Sequence, residues 1–205
     1  MRHTLYIIGG VMFFLIAGCV KPKPPRNFFP DQNDPNLSRL TSYGYNIASN
    51  YINNVPYSNP YLYNGNTVPT LTKTVTSSPF DTLAISWQIA PDAAIAYDFF
   101  PQYTEISILL PVSKNFSGND FLALSGQRFA SNTCTLHLLQ QNSFNSDTLL
   151  TGTANIYFVE IGFGSSESTE GKLLFSGLYN GNIGDSITVA NGRFDFSIPI
   201  NSINF

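Results

Sequence analysis

What most constrains this chain is a two-residue apolar rhythm, broken by turn residues, that recurs from about residue 70 to residue 199. Leu83, Ile85, Trp87 and Ile89 alternate with Ala84, Ser86 and Gln88. Side chains two apart share one face of a pleated strand, so such a run has one buried face and one wet face. Ile106, Ile108 and Leu110 repeat the pattern, as do Cys134, Leu136 and Leu138 with Thr135 and His137 opposite them. Further strands are predicted at 70–76, which is edge-like, and at 121–124, 151–161, 172–179, 186–190 and 193–199. Asn53-Asn54 suits the positive φ of a tight turn and predicts a hairpin of 43–52 with 55–57, and Asn191-Gly192 predicts another. Pro91 to Tyr97 offers a single helical turn at most. About ten short strands without a helix-period segment predict an all-β domain. The expected form is an antiparallel β-sandwich, with an up-and-down β-barrel as the alternative.

The first residues follow a different logic. Met1-Arg2-His3 is a small positive end, Leu5 to Ile16 is apolar apart from Gly9 and Gly10, and Ala17-Gly18 puts two small residues before Cys19. That is the make-up of a signal peptide. The apolar run stops before Lys21, Pro22, Lys23, Pro24 and Pro25, short of the roughly 20 residues a membrane helix needs. The four residues Ile16-Ala17-Gly18-Cys19 resemble the box of a bacterial lipoprotein signal. The resemblance implies cleavage before Cys19, a diacylglyceryl group on its thiol and an acyl chain, palmitate for instance, on its new amine. Two or three chains at about 0.8 kcal/mol per buried methylene anchor a protein stably. The expected organisation is a signal peptide at 1–18, an acylated cysteine with a proline-rich tether at 19–38, and one all-β domain at 39–205.

Composition narrows the partners. The chain carries 10 Lys and Arg against 13 Asp and Glu, a net charge of -3. Apart from Lys21, Lys23 and Arg26, which would lie beside lipid head groups, no basic cluster exists to meet phosphates, so no nucleic-acid partner is expected. With Cys19 acylated, Cys134 has no partner in the chain, and its place in an alternating strand predicts a buried, inert thiol.

Two longer patterns resemble a family of small uncharacterised β-rich lipoproteins of the Bacteroidota. One is Leu40-Thr41-Ser42-Tyr43-Gly44-Tyr45-Asn46 followed by Tyr51-Ile52-Asn53-Asn54-Val55-Pro56-Tyr57, with Asn54 where that family usually has Gly. The other is Leu173-Leu174-Phe175-Ser176-Gly177, then Ile187-Thr188-Val189 and Asn191-Gly192-Arg193-Phe194. The resemblance implies fold and cell-envelope location; the family lends no activity.

Candidate chemistry is sparse. Tyr57, Tyr61 and Tyr63 sit among Asn, Ser, Pro and Gly, where flat amphipathic rings either stack on sugars or pack back onto the sheet, the second being preferred. His137 stands without the second His or Cys that a zinc set requires. Asp92, Asp98, Asp120, Glu160 and Asp185 are carboxylates that would have to pair in space to hydrolyse a glycoside. Residues 31–36 have the oxygen-rich side chains a hard cation takes but not the spacing of a calcium loop, and 180–185 is an Asx-rich turn with a cation as the alternative; turn formation explains both. No nucleophile elbow, phosphate loop or zinc-protease motif is present, so neither a cofactor nor a metal is expected. The sequence therefore predicts a non-enzymatic, lipid-anchored binding or structural module of the outer membrane. Because no acidic cluster follows Cys19, the periplasmic side is preferred to the cell surface. The alternative is a carbohydrate-binding or carbohydrate-processing envelope protein, and the expected partners are the membrane, through the lipid, and an envelope protein or glycan.

Overall fold

The structure, a computed structural model, describes residues 31–59, 69–91, 102–141, 147–164, 171–203 and 205. Its strands are β1 (Ile47–Ile52), β2 (Val55–Ser58), β3 (Thr70–Thr74), β4 (Asp81–Gln88), β5 (Ala90–Pro91), β6 (Gln102–Val112), β7 (Arg128–Gln141), β8 (Asp147–Gly164), β9 (Lys172–Ile183) and β10 (Ile187–Pro199). One short helix, α1 (Gly118–Leu122), lies between β6 and β7. The all-β, antiparallel fold follows from the alternation. All ten strands join one ladder in the order β3-β4-β6-β7-β8-β9-β10-β1-β2-β5, curled into a half-barrel. The facing layers expected of a sandwich are thus two walls of one curled sheet.

One end of that ladder comes back to β4 at one corner. β5 continues β4 after the single residue Ile89, whose N–H donates to the Thr104 carbonyl of β6 (3.0 Å). β5 itself pairs with β2 through Tyr57 with Pro91 and Ser58 with Ala90. Leaving β3 aside as an outer flap on β4, the strands run up and down around the core in the manner of the alternative barrel reading.

The inward face is filled rather than hollow. Leu83, Ile85, Trp87 and Ile89 are buried as the alternation requires, as are Ile106, Ile108, Leu110, Leu136 and Leu138. Phe194 on β10 has ring neighbours on three other strands and its own: Trp87, Phe158, Phe175, Tyr179 and Phe196, at 5.3–6.2 Å between centroids. Burying one such ring is worth roughly 1.5–3 kcal/mol, and edge-to-face contacts add to it.

Three local expectations are corrected. Residues 121–124 are not a strand: Phe121 and Leu122 end α1. The Ser117 hydroxyl accepts from the Asp120 N–H while the Asp120 carboxylate accepts from the Ser117 N–H, which is a capping box. The helix drives Phe121 onto Phe158 and Phe175, edge to face, and covers one end of the core. Asn191-Gly192 is not a hairpin turn but a bulge inside β10. Ala190 and Asn191 together face Asn180 of β9, and the turn between the strands lies at residues 184–186. Gly192 is required there because a Cβ would stand 2.4 Å from the Tyr179 ring. Residues 180–183, read as part of a loop, belong to β9. By contrast Asn53 (φ 48) and Asn54 (φ 67) make the expected turn between β1 and β2.

Residues 31–46 form a strap across the outer face of β1, β9 and β10. Leu37 is fully buried, Arg193 pairs with Asp31 at 2.5 Å, and the Ser38 and Ser49 hydroxyls lie 2.7 Å apart. The stretch 31–38, assigned to the tether from sequence, is therefore docked on the sheet. Under the strap the Asp195 carboxylate accepts hydrogen bonds from the Thr41 hydroxyl and the N–H groups of Tyr43, Gly44 and Tyr45. Gly44 (φ +71) runs so close to β9 and β10 that a Cβ would meet Leu174 at 2.6 Å and Ser197 at 2.8 Å.

Candidate functional site

The residues singled out from sequence do not assemble into a site. Cys19, Tyr61, Tyr63, Asp92 and Asp98 lie outside the described residues. Tyr57 is corrected as a ligand-facing candidate: it points into the core, 2 % exposed, with its ring 5.9 Å from that of Tyr103. Burial, with Tyr103 beside it, pushes its hydroxyl up to about 12. β2 is short and its Tyr57 falls on the inward beat, which local loop composition does not reveal.

His137 is half-buried on β7 between Ser107 and Thr151 of the neighbouring strands, and partial burial pushes its pKa down. Cys134 is buried, and desolvation raises its thiol pKa. Asp120 caps α1, where the Ser117 hydroxyl and N–H hold its carboxyl below the usual range. Asp81 is 1 % exposed; Lys114 at 2.8 Å, and more distantly Lys73, hold its pKa down and tie the β3–β4 hairpin to the end of β6. Asp31 and Asp34 are engaged with Arg193 and the Tyr51 hydroxyl, as turn residues rather than ligands. Among the described residues no three His, Cys, Asp or Glu side chains gather to hold a metal.

What the fold does assemble is a groove of about 630 Å³ on the outer face of β7, β8, β9 and β10. That volume lies within the roughly 300–1,000 Å³ typical of small-molecule sites. Its form comes from two bulges aligned across the sheet. Residues 130–133 of β7 face only Asn155 of β8, and Ala190 with Asn191 of β10 face only Asn180 of β9. Asn155 and Asn180 are themselves a direct cross-strand pair. The outer strands bow where the central two stay regular, which leaves a trough with an amide pair at its floor.

The hydrogen bonds fix which way those amides point. The Ser131 N–H donates to Asn155 Oδ1 (2.9 Å), so Asn155 Nδ2 faces Asn180 and donates to its Oδ1 (2.8 Å). The relay leaves the Asn180 Nδ2 donors facing the groove. Beside them the Arg128 guanidinium lies over the Tyr157 ring, 4.6 Å from its centroid, across the β7–β8 pairing. Leu178, 39 % exposed, adds apolar ground, and Arg193 is held at the margin by Asp31 and the Ser38 carbonyl. Among the described residues no Asp or Glu lines the groove.

Compared with protein-family models, curated proteins and solved structures, the chain matches none.

The fold and this groove therefore carry the functional argument alone. Sequence reasoning missed the groove because Asn155 and Asn180, or Arg128 and Tyr157, become neighbours only through a register that the bulges set. The one signal in the sequence was that Asn155 and Tyr157 take outward beats of a β8 whose inward beats are Ala154, Ile156 and Phe158.

Proposed function

We propose that this protein is a lipid-anchored lipoprotein of the cell envelope that works by binding rather than by catalysis, with the β7–β10 groove as its binding surface. The observation that carries this reading is the amide relay from Ser131 through Asn155 to Asn180. It holds donors in fixed directions in an exposed trough that, among the described residues, no Asp, Glu, His or Cys lines. Preorganised donors on rigid central strands suit recognition, because the ordering cost has been met in folding.

The leader supports the anchoring half of the reading: a short apolar run, small residues and Cys19, in the arrangement of a lipoprotein signal. The twelve residue-to-residue steps from Cys19 to Asp31 reach at most roughly 40 Å when fully extended, so the tether keeps the sheet near the bilayer. Placement at the outer membrane on its periplasmic side completes the proposal.

Cys19→Ser separates anchoring from folding. In cells fed labelled palmitate, the native chain is expected to take up label and sediment with membranes, and the variant to lose the label and become soluble. Equal labelling of both, or a native chain that washes off membranes, rejects the anchored reading.

A further inference from the structure

Among the described residues the groove is lined by donors and by no acidic side chain, and of its two guanidiniums Arg193 is paired with Asp31 while that of Arg128 lies over an aromatic ring. We infer that it binds a carboxylate-bearing sugar of the uronic acid type, with Arg128 taking the carboxylate and the Asn180 amide taking a ring or hydroxyl oxygen. The inference deepens the binding reading above and rests on it.

Arg128 is the centre of the case. The guanidinium carbon lies over the Tyr157 ring, and among the described residues no hydrogen bond engages its N–H groups, the groups that meet a carboxylate through two parallel hydrogen bonds. No carboxylate lies within ion-pair distance of it among the described residues, whereas Arg193, the other arginine at the groove, already holds Asp31. Lys73 and Lys114 are likewise engaged with Asp81. An arginine oriented by a ring and given no acid within the fold is presented outward.

The surroundings favour a sugar over a peptide. An extended peptide gains most of its affinity by adding to a free strand edge, and β8 and β9 at the floor are paired on both sides. A pyranose needs no backbone partner. It offers oxygens to the Asn180 amide, which its bond from Asn155 orients, and to the exposed Asn191 on the bulge, and an apolar C–H face to Leu178. Among the described residues no acid lines the groove, and Asp31 at its margin is neutralised by Arg193, so little charge repulsion disfavours a carboxylate.

The test is a calorimetric titration of the intact protein in mild detergent with three probes: a tetramer of galacturonic acid, the same tetramer as its methyl ester, and a neutral glucose tetramer. The acid is expected to bind at least about tenfold more tightly than its ester or the neutral sugar. Arg128→Gln is expected to abolish that preference and Arg128→Lys to restore part of it. Arg128 is exposed, so neither change should alter the thermal unfolding temperature, which confirms that a loss of binding is local. Equal binding of acid and ester, no binding of any probe, or an unaffected Arg128→Gln overturns the inference. Binding of an acidic tetrapeptide in preference to the sugar also overturns it. None of these outcomes touches the membrane fractionation of Cys19→Ser, so the anchored reading stands or falls separately.

Discussion

A carboxylate in the sequence Phe194-Asp195-Phe196 sits on the wet beat of an alternating strand, and solvation is the natural expectation for it. Asp195 is instead 1 % exposed, because the strap of residues 31–46 closes over it and turns four donors inward. The carboxylate thus stands in for a missing strand: it satisfies backbone N–H groups that have left the ladder. Asp195→Ala strands those donors, each at about 1–3 kcal/mol while they stay buried. The strap can peel away and rehydrate them, which caps the total, so the expected loss is about 3 kcal/mol, with Asp195→Asn smaller because one acceptor remains. Urea unfolding followed by tryptophan fluorescence measures it through Trp87; an unchanged midpoint for the alanine variant would show that the strap is not held by this carboxylate. The role was illegible in sequence because the donors come from residues about 150 positions away.

Elements were legible where alternation alone decides them and illegible where the same local chemistry serves two ends. β4, β6 and the cores of β7 to β10 fall where the inward apolar beats put them. Asn53-Asn54 and Asn191-Gly192 look alike, a residue that tolerates positive φ beside a second one, yet the first turns the chain and the second only bows it. The difference lies in the partners: β10 is paired with β9 on one edge and β1 on the other, so its ladder continues past the bulge. That same bulge helps to form the groove, so the misread element and the missed site share one cause. At the true turn, Asn53 does more than bend. Its Nδ2 donates to the Ser186 carbonyl and its Oδ1 accepts from the Thr188 N–H, which joins the β1–β2 turn to the β9–β10 turn. Asn53→Ala removes both bonds and leaves an alanine at φ 48, and is expected to cost about 2 kcal/mol. Asn53→Gly, which relieves the strain but not the lost bonds, is expected to cost roughly half as much. Thermal unfolding of the pair checks the split, and equal destabilisation would mean that backbone strain plays no part.

At the scale of the whole molecule, the sequence announced an all-β body but not how its sheet closes, since closure joins β2, near one end of the ladder, to β5, the continuation of β4 near the other. It rests on little. β2 and β5 share two residue pairs, one of which contains Pro91 and so lacks an N–H, while β8 and β9 pair along most of their length. The Tyr57–Tyr103 ring contact and the Ile89 to Thr104 hydrogen bond lie beside the corner and resist its opening, but they bury far less than the Phe194 cluster at the centre. Local opening should therefore begin at the corner and leave the groove-bearing strands intact. Native-state hydrogen exchange is expected to show the Ser58 and Ala90 amides exchanging at least about a hundredfold faster than those of Phe158, Gly177 and Tyr179, and converging on them only as denaturant brings on global unfolding. The binding face would then sit on the most persistent part of the fold, as a preorganised site requires. Corner amides as slow as those of β8 and β9 would mean that the ring opens only as a whole, and that closure, despite its two pairs, belongs to the cooperative core.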